Sequence, residues 1–279
     1  MTEIPTIRFS DGHSIPQLGY GVWQVEDEVA ADVVEKAIAA GFRHIDTAAI
    51  YGNEEGTGRA IAASGVPRED LFITTKLWND SHDRDAALAA IDTSLGKLGL
   101  DFVDLYLVHW AKPLQNKYVE AWKALIEIQQ AGKARSIGVS NHPEEQLREI
   151  IDATGVTPAI HQIELHPYHQ QKELRAIHEE LGIVTEAYSP LGSTAGAELS
   201  DPVITEIAAA HDASSAQVII AWHLAQGIVV IPKSVTASRI VENFAAADLM
   251  LAEDEVEAIN ALDKGVEGRI GADPKTITF

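Results

Sequence analysis

Short apolar runs alternate with amphipathic helical segments along this chain about every 30 residues, and few folds accommodate that period. Residues 17–22, a run built on Phe42, His44 and Ile45, and residues 71–77, 103–110, 135–141, 160–166, 183–189 and 228–234 all have strand length and apolar character. Between them, residues 27–40 carry Val33, Val34, Ala37 and Ile38 at helical spacing, and 83–99 carry Leu88, Ile91, Leu95 and Leu98. Residues 144–153 and 172–181 repeat the pattern, and further helices are expected ending at Ser64 and over 118–131 and 215–226. Eight strands in 279 residues suit an α/β chain closed into a single (β/α)8 TIM barrel, read here as one domain over 1–279. Residues 6–9 and 14–18 around Ser10-Asp11-Gly12 predict a short N-terminal hairpin, and residues 265–279 a tail over the barrel mouth.

An open doubly wound sheet shows the same buried parallel strands. Two features favour the barrel. No Gly-x-Gly-x-x-Gly follows the first strand, and polar residues mark the ends of nearly all strands instead of clustering at one switch point. Those ends are Asp46 with Tyr51, Lys76, His109, Ser140 with Asn141, Gln162 with Glu164 and His166, Tyr188 with Ser189, and Lys233 with Ser234. Loops at the carboxyl ends of barrel strands are where chemistry is built.

Composition removes whole classes of function. A net charge of −21 argues against nucleic acid and anionic membrane surfaces, whose phosphates would be repelled. The absence of cysteine excludes disulfides, thiolate metal sites and a cysteine nucleophile. No apolar run approaches the roughly 20 residues needed to span a bilayer. The opening Met1-Thr2-Glu3-Ile4-Pro5 lacks the basic-then-apolar layout of a secretory leader, so a cytoplasmic location is expected.

Asp46, Tyr51, Lys76 and His109 have the residue types for acid catalysis at a carbonyl. A phenol is a weak acid at its reference pKa of about 10, an ammonium beside it should lower that value, and a carboxylate can hold the ammonium in place. His109 can hydrogen-bond and orient the carbonyl oxygen. Taken singly, Asp46 reads as a turn cap and Tyr51 as a half-buried aromatic. Among basic residues, Lys233 and Arg239 lie six apart at the end of the last strand, placed to meet an anion in an otherwise acidic chain.

The chain resembles the aldo-keto reductase family from end to end. Gly41-Phe42-Arg43-His44-Ile45-Asp46-Thr47-Ala48 with Glu54 and Gly58 is similar to the family's first signature, and Ile231-Pro232-Lys233-Ser234 with Arg239, Glu242 and Asn243 to its last. Asp46, Tyr51, Lys76 and His109 fall on its catalytic tetrad. Leu18-Gly19-Tyr20-Gly21-Val22, Asn53-Glu54-Glu55-Gly56 and Thr74-Thr75-Lys76-Leu77-Trp78-Asn79 look most like bacterial 2,5-diketo-D-gluconate reductases. The resemblance implies NADPH lying across the barrel mouth. Ser140, Asn141 and Gln162 would hold its carboxamide, Tyr188 would stack on the ring, and Ser189 and Leu191 would border the pyrophosphate. Lys233, Ser234, Val235, Arg239, Glu242 and Asn243 would surround the adenosine end, with Gly21 and Val22 also against the cofactor. Trp23, Trp78 and Trp110 would line a pocket for a small carbonyl substrate beside Tyr51 and His109. Thr57 and Ala111 depart from the family's usual apolar residue and Pro, which bears on substrate more than on reaction type.

Other readings compete. His161-Gln162-Ile163-Glu164-Leu165-His166 has zinc-ligand types, but Glu164 and His166 share one strand face while His161 takes the other, so no metal is expected. His82, His142, His169, His178 and His211 fall in expected loops or helix surfaces and are read as solvated. A metal-dependent barrel hydrolase and a non-catalytic nucleotide-binding subunit remain the alternatives to a monomeric reductase.

Overall fold

A computed structural model describes residues 4–193 and 196–279; Met1 to Glu3, part of the stretch read for a leader, lie outside them. Strands β1 (Thr6–Arg8) and β2 (Ser14–Pro16) form the expected antiparallel hairpin, with Ile7 opposite Ile15. The chain then alternates β3 (Gly19–Gly21), α1 (Asp27–Ala40), β4 (His44–Asp46), α2 (Glu54–Ala63), β5 (Phe72–Leu77), α3 (Arg84–Leu98), β6 (Val103–Val108), α4 (Tyr118–Gln130), β7 (Ala134–Ser140), α5 (Glu144–Thr154), β8 (Ile160–Glu164), α6 (Lys172–Leu181) and β9 (Val184–Tyr188). It continues with α7 (Pro202–Ala210), α8 (Ser215–Ala225), β10 (Val229–Val230), α9 (Ala237–Ala245) and α10 (Glu253–Asn260).

Strands β3 to β10 pair with their sequence neighbours, all parallel. The ring closes through a parallel bridge between Leu18 and Val230 and the bond from Val230 N–H to the Gln17 carbonyl (2.8 Å). The fold is the (β/α)8 barrel read from the period. The strands are shorter than expected at their ends. The last stops after Val230 because Pro232 has no N–H to extend the ladder and the backbone turns away into the loop toward α9.

Apolar side chains on the outer strand faces pack against the helices, giving a core that includes Val33, Ile91, Trp122, Ile150 and Trp222. A second cluster brings Phe9 and Ile15 of the hairpin onto Phe72, Leu105, Ile160 and Val229. The hairpin therefore plugs the amino-terminal end of the barrel and leaves the carboxyl end for chemistry. Gly19 and Gly21 serve the barrel itself. A Cβ on Gly19 would lie 2.4 Å from His44 Nδ1, and one on Gly21 would lie 3.1 Å from the Ile231 carbonyl.

Helices α7, α9 and α10 were not expected from the apolar period. Helix α7 opens on Asp201, whose carboxylate accepts the Val203 N–H, followed by Pro202 in the first turn. In α10 the Glu255 carboxylate accepts the Ala252 N–H at 2.8 Å.

Candidate active site

Four strand ends deliver the acid–base group. Asp46 is the last residue of β4, Lys76 lies near the end of β5, His109 follows β6, and Tyr51 comes from a single 3-10 turn over 49–51. Lys76 Nζ donates to Asp46 Oδ1 at 2.6 Å, to the Thr47 carbonyl at 2.9 Å and to the Tyr51 hydroxyl at 3.4 Å. The ammonium is wholly buried. The Tyr51 and His109 rings meet edge to face at 5.6 Å, and His109 makes no side-chain hydrogen bond among the described residues. The four residues expected to act together are in one place.

Burial sets their ionisation. It pushes the Tyr51 hydroxyl above the ordinary phenol range, and the Lys76 ammonium pulls downward without overcoming it. A net lowering was expected. It fails because Asp46 sits on the same ammonium and cancels much of its field at the phenol. Burial also opposes charge on Lys76, yet Asp46 and then Tyr51 hold its pKa above the usual lysine value. His109 is pushed well below the usual imidazole value by burial and then by Lys76, so its ring is neutral.

Beneath this group the sequence reading missed Glu186. Gln162 Nε2 donates both to Asp46 Oδ2 (2.9 Å) and to Glu186 Oε2 (3.0 Å). Burial, then the Asp46 charge, pushes the Glu186 carboxyl up to about 8, so it carries a proton at neutral pH. A charged-type residue inside the apolar run 183–189 was the available signal. His44, Asp46 and Glu186 also bring ligand-type atoms within 4.8 Å of one another, but Lys76 already places a cation on Asp46.

The expected cofactor residues ring the same mouth. Ser140 Oγ donates to the Gln162 carbonyl (2.9 Å), Asn141 Nδ2 to Ser140 Oγ (2.9 Å) and to the His109 carbonyl (3.1 Å), and the Tyr188 hydroxyl to Asn141 Oδ1 (2.8 Å). Ser189 follows with a left-handed backbone (φ 50), and Leu191 is half-buried. A cavity of about 500 Å³ opens on this side, lined by Asn141, Glu164, Tyr188 and Arg269 among others, and none of the four acid–base residues lines it. Gly21 and Val22 are buried at the seam, where the Tyr20 hydroxyl donates to the Ser234 carbonyl. Beyond it Lys233, Val235 and Arg239 are exposed, while Ser234 and Asn243 are buried. Lys233 and Arg239 form no ion pair among the described residues, and Glu242 instead accepts the Ser214 hydroxyl at 2.6 Å. These donors suit a nicotinamide dinucleotide: amides and hydroxyls at one end, two unpaired cations at the other.

The tryptophans separate into two kinds. Trp78 stacks on Phe279 (6.3 Å, 7° between planes) and meets His109 edge to face at 5.1 Å, and Trp110 meets Phe279 at 5.5 Å. Asn79 Nδ2 fixes this aromatic wall by donating to the Phe279 carbonyl at 3.1 Å. Trp23 stands apart, 47% exposed and in no ring contact among the described residues.

The solvated histidines are a correction. His82, His142, His169 and His178 are buried; only His211 is partly exposed, paired with Glu255 at 2.8 Å. Each lies in a loop or on a helix as expected, but those elements turn the rings inward against the strand layer. His161 faces this outer layer, while Glu164 and His166 pair with each other at 3.2 Å.

Comparison with known proteins agrees with the geometry. The aldo/keto reductase family profile matches residues 16–264. The chain belongs to the aldo/keto reductase family. An aldo-keto reductase of Mycolicibacterium smegmatis is 52% identical over 275 residues, covering 99% of this chain and 98% of that protein. The methylglyoxal reductase DkgA of Escherichia coli is 49% identical over 274 residues, 98% of each chain. Among solved structures, apo Gox0644 superposes with a TM-score of 0.95 at 46% identity, covering 99% of this chain and 100% of its own. A variant of Gox0644 solved in complex with NADPH has a TM-score of 0.95 at 45% identity, with the same coverage. The expected class, an NADPH-dependent aldo-keto reductase, therefore stands.

Proposed function

We propose that this reductase converts small aldehydes, ketones and dicarbonyls to alcohols, with Tyr51 as the proton donor. The observation that carries the reading is the buried Lys76 ammonium, held between Asp46 at 2.6 Å and the Tyr51 hydroxyl at 3.4 Å. NADPH supplies the hydride when bound. Tyr51 gives its hydroxyl proton to the carbonyl oxygen, and Lys76 steadies the phenolate that remains. Asp46 and the Thr47 carbonyl fix the ammonium, so it need not reorganise as charge develops. The neutral His109 ring donates to the same oxygen and orients it. Ser140, Asn141 and Gln162 bind the carboxamide, Tyr188 stacks on the ring, and Lys233 and Arg239 receive the 2′-phosphate. Trp78, Trp110 and Phe279 wall the substrate side.

The relatives named as methylglyoxal reductases support a small dicarbonyl, and a keto-sugar acid such as 2,5-diketo-D-gluconate fits the same chemistry. The chain would act as a cytoplasmic monomer without nucleic acid, in keeping with its charge of −21. A metal-dependent hydrolase is disfavoured because Lys76 takes the place a cation would need beside Asp46. Tyr51→Phe tests the assignment. Turnover of a carbonyl panel should fall at least about 10²-fold, with NADPH affinity little changed. Near-normal turnover in that variant would sink the proton-donor role.

A further inference from the structure

Behind the turn that carries Ser140 and Asn141 runs a line of buried histidines that the proposed chemistry does not use. Asn141 has a left-handed backbone (φ 55), which a non-glycine residue keeps only where its surroundings fix it. The next residue, His142, donates its main-chain N–H to His161 Nε2 at 3.0 Å. His161 Nδ1 lies 2.7 Å from His178 Nε2, and His178 Nδ1 lies 2.8 Å from Thr185 Oγ1. All three rings are buried.

The proton positions follow from one fact, that a main-chain N–H can only donate. His161 Nε2 must therefore be bare, with the ring proton on Nδ1. That proton is directed at His178, whose Nε2 must be bare in turn and whose own proton lies on Nδ1 toward Thr185. The Ser140 carbonyl, 2.8 Å from His142 Nδ1, fixes the third ring in the same way. Each imidazole has one usable tautomer.

An extra proton has no place in this line. On His178 Nε2 it would oppose the His161 Nδ1 proton, and moving that proton to His161 Nε2 would set it against the His142 N–H. The neutral forms are maintained by burial, which pushes His161 well below the ordinary range, His178 to about 4 and His142 to about 3. The charged and titratable neighbours act in the same direction: Arg175 on α6 beside His178, and His82 before α3 beside His142.

Strand alternation gives the line its leverage. His161 and Gln162 are adjacent on β8, so the imidazole points to the helix layer while the Gln162 amide reaches Asp46 inside the barrel. The Ser140–Asn141 turn is thus held from the barrel side by the Gln162 carbonyl, which accepts Ser140 Oγ and the Asn141 N–H (3.1 Å), and from the helix side by His161.

We propose that His161, backed by His178, is a positioning residue for the nicotinamide end of the cofactor, holding the His142 N–H and through it the Ser140–Asn141 turn. This rests on the reading that Ser140 and Asn141 bind the carboxamide. The test titrates wild type, His161→Leu, His161→Gln and Asn141→Gly with NADPH and with 2′-phospho-ADP-ribose, which lacks the nicotinamide, following tryptophan fluorescence and recording each melting midpoint. His161→Leu should weaken NADPH about five- to tenfold, the scale of one lost hydrogen bond, and leave the fragment unchanged. His161→Gln, whose Oε1 can accept the same N–H, should recover most of the loss. Equal weakening of both ligands, no weakening of either, or no recovery with Gln overturns the proposal. Asn141→Gly keeps the left-handed backbone and removes the amide. If it binds NADPH as wild type does, the carboxamide reading fails; if it alone is impaired while His161→Leu is not, only the positioning proposal fails. Should His161→Leu not fold, His178→Leu breaks the outer link and is judged by the same two titrations.

Discussion

Replacing Lys76 with Met separates the electrostatic and chemical work of the buried ammonium. Met keeps an unbranched stem but removes the charge and all three donated bonds, to Asp46, the Thr47 carbonyl and Tyr51. Asp46 is then a carboxylate only 2% exposed whose remaining side-chain donor is Gln162 Nε2 at 2.9 Å. Breaking one side of a buried ion pair costs about 3–5 kcal/mol. The surviving Gln162 bond places this case near the lower end, about 3 kcal/mol. At roughly 2–4 °C per kcal/mol for a domain of this size, the melting midpoint should drop by about 6–12 °C. Turnover should fall at least about 10²-fold, because the phenolate left on Tyr51 loses its counter-charge. Adding Asp46→Asn removes the stranded charge. The double variant should regain most of the midpoint and none of the turnover, as read by calorimetry and by NADPH oxidation at saturating cofactor. A single variant that melts like wild type would refute the burial argument, and a double variant that recovers turnover would refute the chemical one.

Other consequences are open to equally direct measurement. Arg239→Ala should weaken NADPH by about 1.5 kcal/mol, the lower end for a charged hydrogen bond because the site is exposed, and barely touch NADH; equal losses would show that the guanidinium does not read the 2′-phosphate. Phe279→Ala and Trp110→Ala should reorder a carbonyl panel while leaving NADPH affinity intact, and exposed Trp23→Ala should change the order least; a larger effect at Trp23 would place the substrate elsewhere. His166 lies between Glu164 (3.2 Å) and Glu198 (2.7 Å), with His169 and His223 also facing it. Burial opposes its charge, but the two carboxylates outweigh burial and raise its pKa, while His166 in turn holds both carboxyls below their usual range. Its share of stability is therefore complete below about pH 6.5 and lost as pH rises through the raised value, and the carboxylates' share is lost only in acid. The midpoint of wild type should fall toward that of His166→Asn between about pH 7 and 9, and parallel slopes for the two proteins would contradict this.

What could be read in advance follows from how far along the chain each determinant lies. Parallel strands bury both faces and release polar side chains only at their ends, so Asp46, Lys76 and His109 stood out from apolar runs and the barrel followed from their period. Tyr51 was legible because it follows Asp46 within one turn. The state of its hydroxyl was not, since that depends on how Asp46 and burial share the field of Lys76. The same limit hid the histidines. His161, His178 and His142 are polar residues at unremarkable positions until folding puts a strand, a helix and a turn in register. Phe279 closes on Trp78 across 201 residues, and no local pattern announces such a contact. Glu186 was within reach, because an acid inside a buried strand must either be paired or keep its proton.

The ring of strands is uneven, and its thinnest junction lies where the cofactor's phosphates are placed. Strands β6 and β7 are in register over five residue pairs, whereas the first and last strands are joined by the Leu18–Val230 bridge and two main-chain bonds, Val230 N–H to Gln17 and Gly21 N–H to Pro232. A closed ring opens first at its weakest joint. A dinucleotide held by Gly21 and Val22 on one side and by Lys233 and Ser234 on the other would span that joint like a clasp. Occupancy would then govern how long the barrel survives as well as how fast it turns over, so in a cell short of reduced nucleotide the enzyme would be lost to proteolysis sooner, and its abundance would follow the supply of its own reductant.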